Sequence, residues 1–144
     1  MVNNIVLGIA QKIRTVFSET NYSLYTENIE QGFKEPCFFV SLISHTQKQR
    51  LGNRYRETYS FDISYYPSAD GNTNEECLEV AEGLYEILEY ITADSDLLRG
   101  TNINSKITEG ILHFYVDYNI FVIREKIPET NMEEVIIYGE TKEW

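Results

Sequence analysis

Residues 54–66, with the sequence RYRETYSFDISYY, alternate between two kinds of side chain over most of their length. One face carries large apolar or aromatic groups, namely Tyr55, Tyr59, Phe61, Ile63 and Tyr65. The other face carries Arg56, Thr58, Ser60, Asp62 and Ser64. A period of two is typical of a β-strand with one buried face. Gly52 and Asn53 lie just before it and accept the positive φ of hairpin turns, so the stretch is predicted to be the return strand of a hairpin.

The outgoing strand of this hairpin is predicted just after Pro36, a residue that is tolerated at the start of a strand. Residues 37–43, CFFVSLI, are largely apolar on both faces, as in a central strand that is covered on both sides. Residues 45–50 are polar. The distal half of the hairpin is therefore too polar for a core, and we expect it to project from the body.

The remaining pattern predicts two helices and further strands. Apolar residues spaced three and four apart predict a helix over residues 2–17. A second helix is expected from about Glu75 to Ile91, and strands are expected near residues 22–27, 103–108 and 111–124, with a loop over 94–102. The apolar stripe of the second helix is predicted to be Leu78, Ala81, Leu84, Tyr85, Leu88 and Ile91.

This order of elements predicts an α+β fold. We expect two helices packed on one face of a mostly antiparallel sheet of about four to five strands, with a long projecting β-hairpin. Residues 1–127 are predicted to form a single domain. Residues 128–144 are predicted to be an acidic C-terminal tail. Within it, the apolar run 135–138, VIIY, suggests a short strand that docks on its own sheet edge or on a neighbour's.

Composition excludes several classes of function. The net charge of −11 argues against a dedicated nucleic-acid binder and against docking on anionic membranes. No apolar stretch approaches the roughly 20 residues of a membrane span, and the first 17 residues lack the apolar core of a signal peptide. Cys37 and Cys77 have no partner at metal-ligand spacing, so both are predicted to be small buried hydrophobes in a reducing cytosol.

Sequence motifs for chemistry are absent. His45 and His113 are the only histidines, and no HExxH, CxxC or EF-hand pattern occurs. There is no glycine-rich phosphate loop, and nothing singles out one serine as a nucleophile. We therefore predict no catalytic residue, no metal, no cofactor and no enzymatic activity.

Charge patterning offers a candidate site instead. Lys48, Arg50, Arg54 and Arg56 flank the hairpin turn. The second helix carries an acidic stripe of Glu75, Glu79, Glu82, Glu86 and Glu89. Both charge clusters also have a purely structural interpretation. The hairpin cations could protect an edge strand, and the glutamates could form the solvated face that an amphipathic helix needs. A DNA-binding hairpin is a further alternative, although it opposes the net charge.

The functional interpretation is docking between copies. A basic tip and an acidic helix on one chain can satisfy each other head-to-tail, and such a contact closes into a ring when the rotation fits. The predicted docking residues are Lys48, Arg50, Arg54 and Arg56, with Tyr55 and Tyr59 as interface aromatics and Glu79, Glu82 and Glu86 as counter-charges.

Several stretches, in this order and spacing, resemble the tail terminator proteins of Gram-positive long-tailed phages. They are QGFKEPCFFV (31–40), QRLGNRY (49–55), ISYYP (63–67), LLRG (97–100) and GILHFYV (110–116). Related chains occur in defective prophages and in phage-tail-like bacteriocins, some of them contractile injection particles. The resemblance spans most of residues 2–124 and does not cover the chain beyond Pro128.

The resemblance implies a ring, typically a homohexamer, that caps the tail tube, stops its polymerisation and forms the head-proximal junction or collar. It implies no cofactor and no catalytic residues. The implied partners are other copies of the chain, the tube protein and a sheath or head-connector protein, with DNA at most passing through the lumen. Assembly is expected in the bacterial cytoplasm, before the protein becomes part of the particle. The alternatives are a head–tail connector or tail completion protein and, from another class, a small cytoplasmic ligand-binding module.

Overall fold

A computed structural model describes the backbone of residues 1–26, 34–68, 73–127 and 135–142, with side chains up to residue 124. The elements, in chain order, are α1 (Val2–Val16), β1 (Ser23–Tyr25), β2 (Cys37–Gln49), β3 (Arg54–Tyr66), α2 (Thr73–Ile87), β4 (Tyr90–Ala93), β5 (Asp96–Thr108), β6 (Ile111–Ile127) and β7 (Val135–Lys142). The end of the strand predicted near residues 22–27, the chain between it and residue 34, and most of the acidic tail lie outside the described residues.

The sheet is larger than the sequence predicts. Six strands follow one another in the order β1-β2-β3-β6-β5-β4, and β7 pairs with β6. β1 runs parallel to β2, whereas the other pairs are antiparallel. The prediction of a mostly antiparallel sheet of about four to five strands was therefore wrong: the sheet is mixed and curled, although the class is still α+β.

The structure also differs from the expected projecting hairpin, because β6 accompanies β3 along it. β3 pairs with β6 over its length, from Arg54 opposite Ile123 to Tyr65 opposite Leu112. β6 continues to Ile127 and so supports β3 as far as the turn. Only β2 matches the expectation of an exposed strand, because residues 42–49 are all exposed.

The core lies between the two helices and one face of the sheet, which we call the helix face. α1 contributes Ile5, Ile9 and Ile13, all fully buried and spaced by one helical turn. The sheet contributes alternate residues of its central strands, namely Phe38, Val40, Tyr59, Phe61, Ile63, Tyr65, Leu112, Phe114, Val116, Tyr118, Ile120 and Val122. The opposite face of the sheet is called the outer face below.

The predicted C-terminal part of the second helix and the loop after it were wrong. α2 ends at Ile87, and residues 90–108 form the hairpin of β4 and β5. Its two turn residues, Asp94 and Ser95, have φ of 51° and 72°. Positive φ at both positions gives the twist that antiparallel strands need. This hairpin carries Ile91 and Leu98 into the core beside α1.

The orientation of α2 also differs from the predicted stripe. Cys77 and Val80 face the core, whereas Leu78 is 56% exposed and Tyr85 is 40% exposed. Both cysteines are free and fully buried, which confirms the prediction for Cys37 and Cys77. Within the described ranges, no helix is long and apolar enough to cross a membrane.

Candidate docking site at the β2–β3 tip

The turn between β2 and β3 is a compact loop closed by its own backbone. The Arg50 N–H donates to the Arg54 carbonyl at 2.8 Å, and the Arg54 N–H donates to the Leu51 carbonyl at 3.0 Å. Gly52 has φ of 59°, and its carbonyl accepts a bond from Gln49 Nε2 at 2.7 Å. The turn is thus held in one shape, and it presents Leu51 with 78% of its surface exposed.

Three cationic side chains lie in or next to this turn. Lys48, Arg50 and Arg54 are exposed, and we call them the tip cations. A cleft of about 490 Å³ lies among Gln49, Arg50, Leu51, Arg54 and Phe121. An exposed apolar residue ringed by positive charge is a surface suited to an acidic partner with an apolar anchor.

Arg56 differs from the tip cations. It is only partly exposed on the outer face, and its Nε donates to Asn119 Oδ1 at 3.3 Å. Thr58 Oγ1 donates to the same amide oxygen at 2.6 Å. Arg56 therefore joins β3 to β6 within the chain.

The two tyrosines predicted as interface aromatics have different surroundings. Tyr55 is partly exposed, and the guanidinium carbon of Arg124 lies 4.5 Å from its ring centroid. Tyr59 is 5% exposed and stacks on His45, with 4.2 Å between ring centroids. Its hydroxyl donates to Glu57 Oε1 at 2.9 Å. Tyr59 is thus part of the protein interior in the single chain.

Glu57 is the centre of a polar network that the sequence did not reveal. Its side chain is buried on the helix face, where its Oε1 lies 2.8 Å from His45 Nε2. Arg124 Nη2 lies 3.9 Å from Glu57 Oε2 and also donates to Gln47. Burial, together with the hydrogen bond to Glu57, raises the pKa of the Tyr59 hydroxyl, which stays a donor.

The predicted counter-charges lie on another part of the sheet. Glu79, Glu82 and Glu86 are exposed on α2, which packs on β5 and β6 rather than on the β2–β3 tip. Glu89, just after α2, lies 3.7 Å from Arg99. The basic tip, which joins β2 and β3, and the acidic helix, which packs on β5 and β6, therefore lie on different parts of one chain. A head-to-tail contact requires such a separation.

The histidine of β6 does not form a catalytic triad. His113 Nδ1 lies 3.0 Å from Asp62 Oδ2 and 3.3 Å from Ser64 Oγ. In a triad, the serine and the carboxylate contact opposite ring nitrogens. Here both contact the same nitrogen, so the histidine has no geometry for passing a serine proton.

Burial raises the pKa of the Cys37 thiol to about 11, which keeps it protonated.

Comparison with known proteins gives an independent finding. A family model described as a phage tail terminator protein matches residues 4–130, which is most of the chain. This match confirms the resemblance seen in the sequence. No curated protein matches the chain. The matched range includes the β2–β3 tip and α2 and ends before β7.

Proposed function

This chain belongs to the phage tail terminator family, and we propose that copies of it form a ring that caps the tail tube. Membership gives the protein a structural role in the tail, as part of the virion. In our proposal the ring, a hexamer, stops polymerisation of the tube and forms the head-proximal junction or collar. The protein acts by assembly and has no enzymatic role.

The observation that carries the ring is the separation of opposite charges on the chain. The tip cations lie at the end of β2 and β3, whereas Glu79, Glu82 and Glu86 lie on α2 beside β5. Contact between the tip of one copy and α2 of the next relieves the repulsion among the clustered glutamates. Because the two surfaces differ, the contact is heterologous and repeats until the ring closes.

The partners in this proposal are other copies of the chain, the tube protein, and a sheath or head-connector protein. Residues 1–127 form the ring domain, and residues 128–144 are an acidic extension. A net charge of −11 suits a lumen through which DNA passes without sticking. Assembly takes place in the bacterial cytoplasm.

A ligand-binding module is disfavoured by the packing of the sheet. Such a module needs a cleft lined by apolar groups on a sheet face or between elements. Phe38, Phe61, Phe114 and Tyr118 instead fill the helix face and are fully buried. The cleft described above lies at the cationic tip, where an assembly contact is the simpler use.

Charge reversal at the tip tests this proposal. In a particle-producing strain that lacks the chain, we expect Arg50→Glu with Arg54→Glu to abolish capping. The purified variant should keep the circular dichroism spectrum of the wild type. A matched control reverses Lys12 and Lys34, which gives the same change in net charge away from the tip, and it should cap normally.

A compensating variant identifies the partner of the tip. Adding Glu82→Arg and Glu86→Arg to the tip reversal should restore capping, because the signs at the contact are exchanged rather than lost. Normal capping by the tip reversal alone would show that the tip does not dock. Failure of the control pair to cap would show that any loss of charge balance, and not this site, prevents assembly.

A further inference from the structure

The sheet has two strand segments that pair on one side only. β2 pairs with β1 only through residues 37–39, so residues 40–49 have β3 as their partner on one side. β5 pairs with β4 only through residues 96–99, so residues 102–108 have β6 as theirs. No strand in the described ranges pairs with the other side of either segment. We call these segments the β2 edge and the β5 edge.

Among the described residues, nothing pairs with the free side of either edge, which leaves room there for a further strand. Unpaired N–H and C=O groups along a strand favour pairing with another chain unless the edge is covered or interrupted. The prolines of the chain, at positions 36, 67 and 128, all lie outside the two edges. Each edge has a bulge near its start, between Leu42 and Ser44 on β2 and between Thr101 and Asn104 on β5. Regular ladders of similar length follow both bulges.

Strand direction fixes how two copies would meet. β2 is antiparallel to β3, β3 to β6, and β6 to β5, so β5 runs antiparallel to β2 within one chain. A head-to-tail neighbour repeats this orientation along the ring. The β2 edge of that neighbour therefore meets the β5 edge in the antiparallel sense.

The surroundings of the β5 edge follow from α2, which runs alongside it in the opposite direction. Cys77 Sγ lies 3.8 Å from the Gly110 carbonyl, and the Tyr85 hydroxyl lies 3.0 Å from Ser105 Oγ. Leu78 is next to Cys77, and it is therefore near the end of β5. The β5 edge thus has an apolar flank near residue 108, and its flank becomes acidic towards residue 102, where Glu82 and Glu86 follow on α2.

The β2 edge has the complementary order. It begins with the exposed apolar residues Leu42 and Ile43, which are 42% and 55% exposed. It ends with Lys48 and, just beyond it, Arg50. Antiparallel pairing brings the apolar start of β2 to Leu78 and the turn beyond β2, which carries Arg50, towards the glutamates, whereas Lys48 lies on the outer face. Parallel pairing would place the cations beside the apolar flank.

We propose that the β2 edge of one copy pairs antiparallel with the β5 edge of the next, so that one sheet continues through the ring. The partner is a second copy of this chain. This inference rests on the ring proposed above and adds the atomic form of its contact: a backbone ladder, with Arg50 in the turn at its charged end.

Cysteine pairs test the ladder through its period of two. Asn104 is on the outer face of β5, as Ser44, Thr46 and Lys48 are on β2. We expect Asn104→Cys to form a disulfide between copies with at least one of Ser44→Cys, Thr46→Cys and Lys48→Cys, since opposed residues bring their Cβ atoms into reach. Gln47→Cys is the control, because its side chain lies on the other face. Each variant is oxidised in assembled particles and analysed on a non-reducing gel.

Hydrogen exchange of the unmodified protein gives a second measurement that needs no substitution. Amides of residues 102–108 that do not face β6 should exchange at least about tenfold more slowly in the ring than in the separate chain. Exposed α1 amides of the first helical turn serve as the control and should not change between the two states.

The outcomes separate this inference from the ring itself. Disulfides confined to outer-face positions, together with protection of residues 102–108, support the continuous sheet. Rings that form normally without either signal, or with equal cross-linking at Gln47, overturn the sheet and leave the ring proposal standing. Particles that contain no ring of this chain overturn both.

Discussion

At the scale of single residues, Glu57 holds together the part of the sheet next to the β2–β3 turn. Its carboxylate accepts from Tyr59 and contacts His45, and Arg124 lies at 3.9 Å, 12% exposed. Buried charges persist when they are paired and hydrogen-bonded. Glu57 therefore links β2, β3 and β6 next to the tip.

Replacing this carboxylate should destabilise the fold. We expect Glu57→Ala to lower the free energy of unfolding by about 2–4 kcal/mol, because a buried cation loses its counter-charge and a buried hydroxyl its acceptor. Glu57→Gln should lose less, since its amide oxygen can still accept. Urea unfolding at pH 7 measures both, with the exposed Glu79→Ala as control. An equal midpoint for Glu57→Ala and the control would contradict this role.

Glu76 is a second carboxylate with a structural role, at the start of α2. It accepts hydrogen bonds from the Tyr65 hydroxyl, from the Ser68 N–H at 2.9 Å and from Ser68 Oγ at 2.8 Å. Burial alone would raise the pKa of Glu76, but these hydrogen bonds outweigh it and lower the pKa below its ordinary value of 4.5. The charged form is therefore favoured by folding.

The lowered pKa predicts the direction of a pH effect. Because the folded-state pKa lies below the unfolded one, the contribution of Glu76 is complete above about pH 4.5 and is lost as the pH falls through the folded-state pKa. Glu76→Gln should cost about 1–2 kcal/mol of unfolding free energy at pH 7 and less at pH 3. Urea titrations at both pH values measure this difference. A difference in unfolding free energy between Glu76→Gln and the wild type that is equal at pH 7 and pH 3 would contradict the linkage. The exposed Glu79→Gln variant is the control.

At the scale of elements, the close approach of α1 to β4 depends on one glycine. A Cβ added at Gly8 would lie 2.5 Å from the Thr92 carbonyl oxygen, and that oxygen belongs to backbone. Gly83 on α2 is a useful contrast, because there the nearest atom is the ring end of Phe17 at 3.1 Å. A side chain yields more easily than a strand.

The two helical glycines therefore predict a difference in stability. Gly8→Ala should lower the unfolding free energy by about 1–3 kcal/mol, because overpacking moves α1 away from β4. Gly83→Ala should lose less or gain, because both changes bring the same improvement in helix propensity, about 1 kcal/mol. Thermal unfolding compares the two. Equal or greater loss for Gly83→Ala would show that the α1–β4 contact is not tight.

The sequence predicts elements well where one period continues over many residues. The alternation of residues 54–66 and the apolar spacing of α1 identified β3 and α1, because each pattern has a single structural interpretation. The β4–β5 hairpin was missed because Asp94 and Ser95 do not carry the Asn-Gly or Asp-Gly signal of such turns. The parallel pairing of β1 with β2 depends on packing between distant segments, and no local pattern encodes it.

The α2 stripe shows a limit of periodicity. Leu78 and Tyr85 are apolar at helical spacing, yet they are exposed, and the smaller Cys77 and Val80 fill the core. Two apolar stripes one residue apart cannot be ranked from hydrophobicity alone. An apolar stripe left outside the core is, however, what an assembly surface requires.

At the scale of the whole molecule, the candidate site could be predicted as charge but not as geometry. The cations at Lys48, Arg50 and Arg54 were visible in the sequence, and so were the glutamates of α2. Tyr59 and Arg56 were predicted with them, yet Tyr59 is buried and Arg56 bonds Asn119 within the chain. The network at Glu57 and the two open edges depend on strand pairing, which spacing does not reveal.

At the largest scale, the subunit has two different candidate contact surfaces on one sheet. The basic tip and the β2 edge lie on one side of the strand order, and α2 and the β5 edge lie on the other. In the proposed ring, identical chains contact one another head-to-tail through these two surfaces, and closure gives a cap of fixed diameter. The central claim is that this cap ends growth of the tail tube.

Electron microscopy of particles from a producing strain that lacks this chain tests the claim most directly. We expect overlong, irregular or headless tails, with uniform tails restored when the wild-type chain is supplied. Normal particles with tails of uniform length, in the absence of the chain, would contradict it.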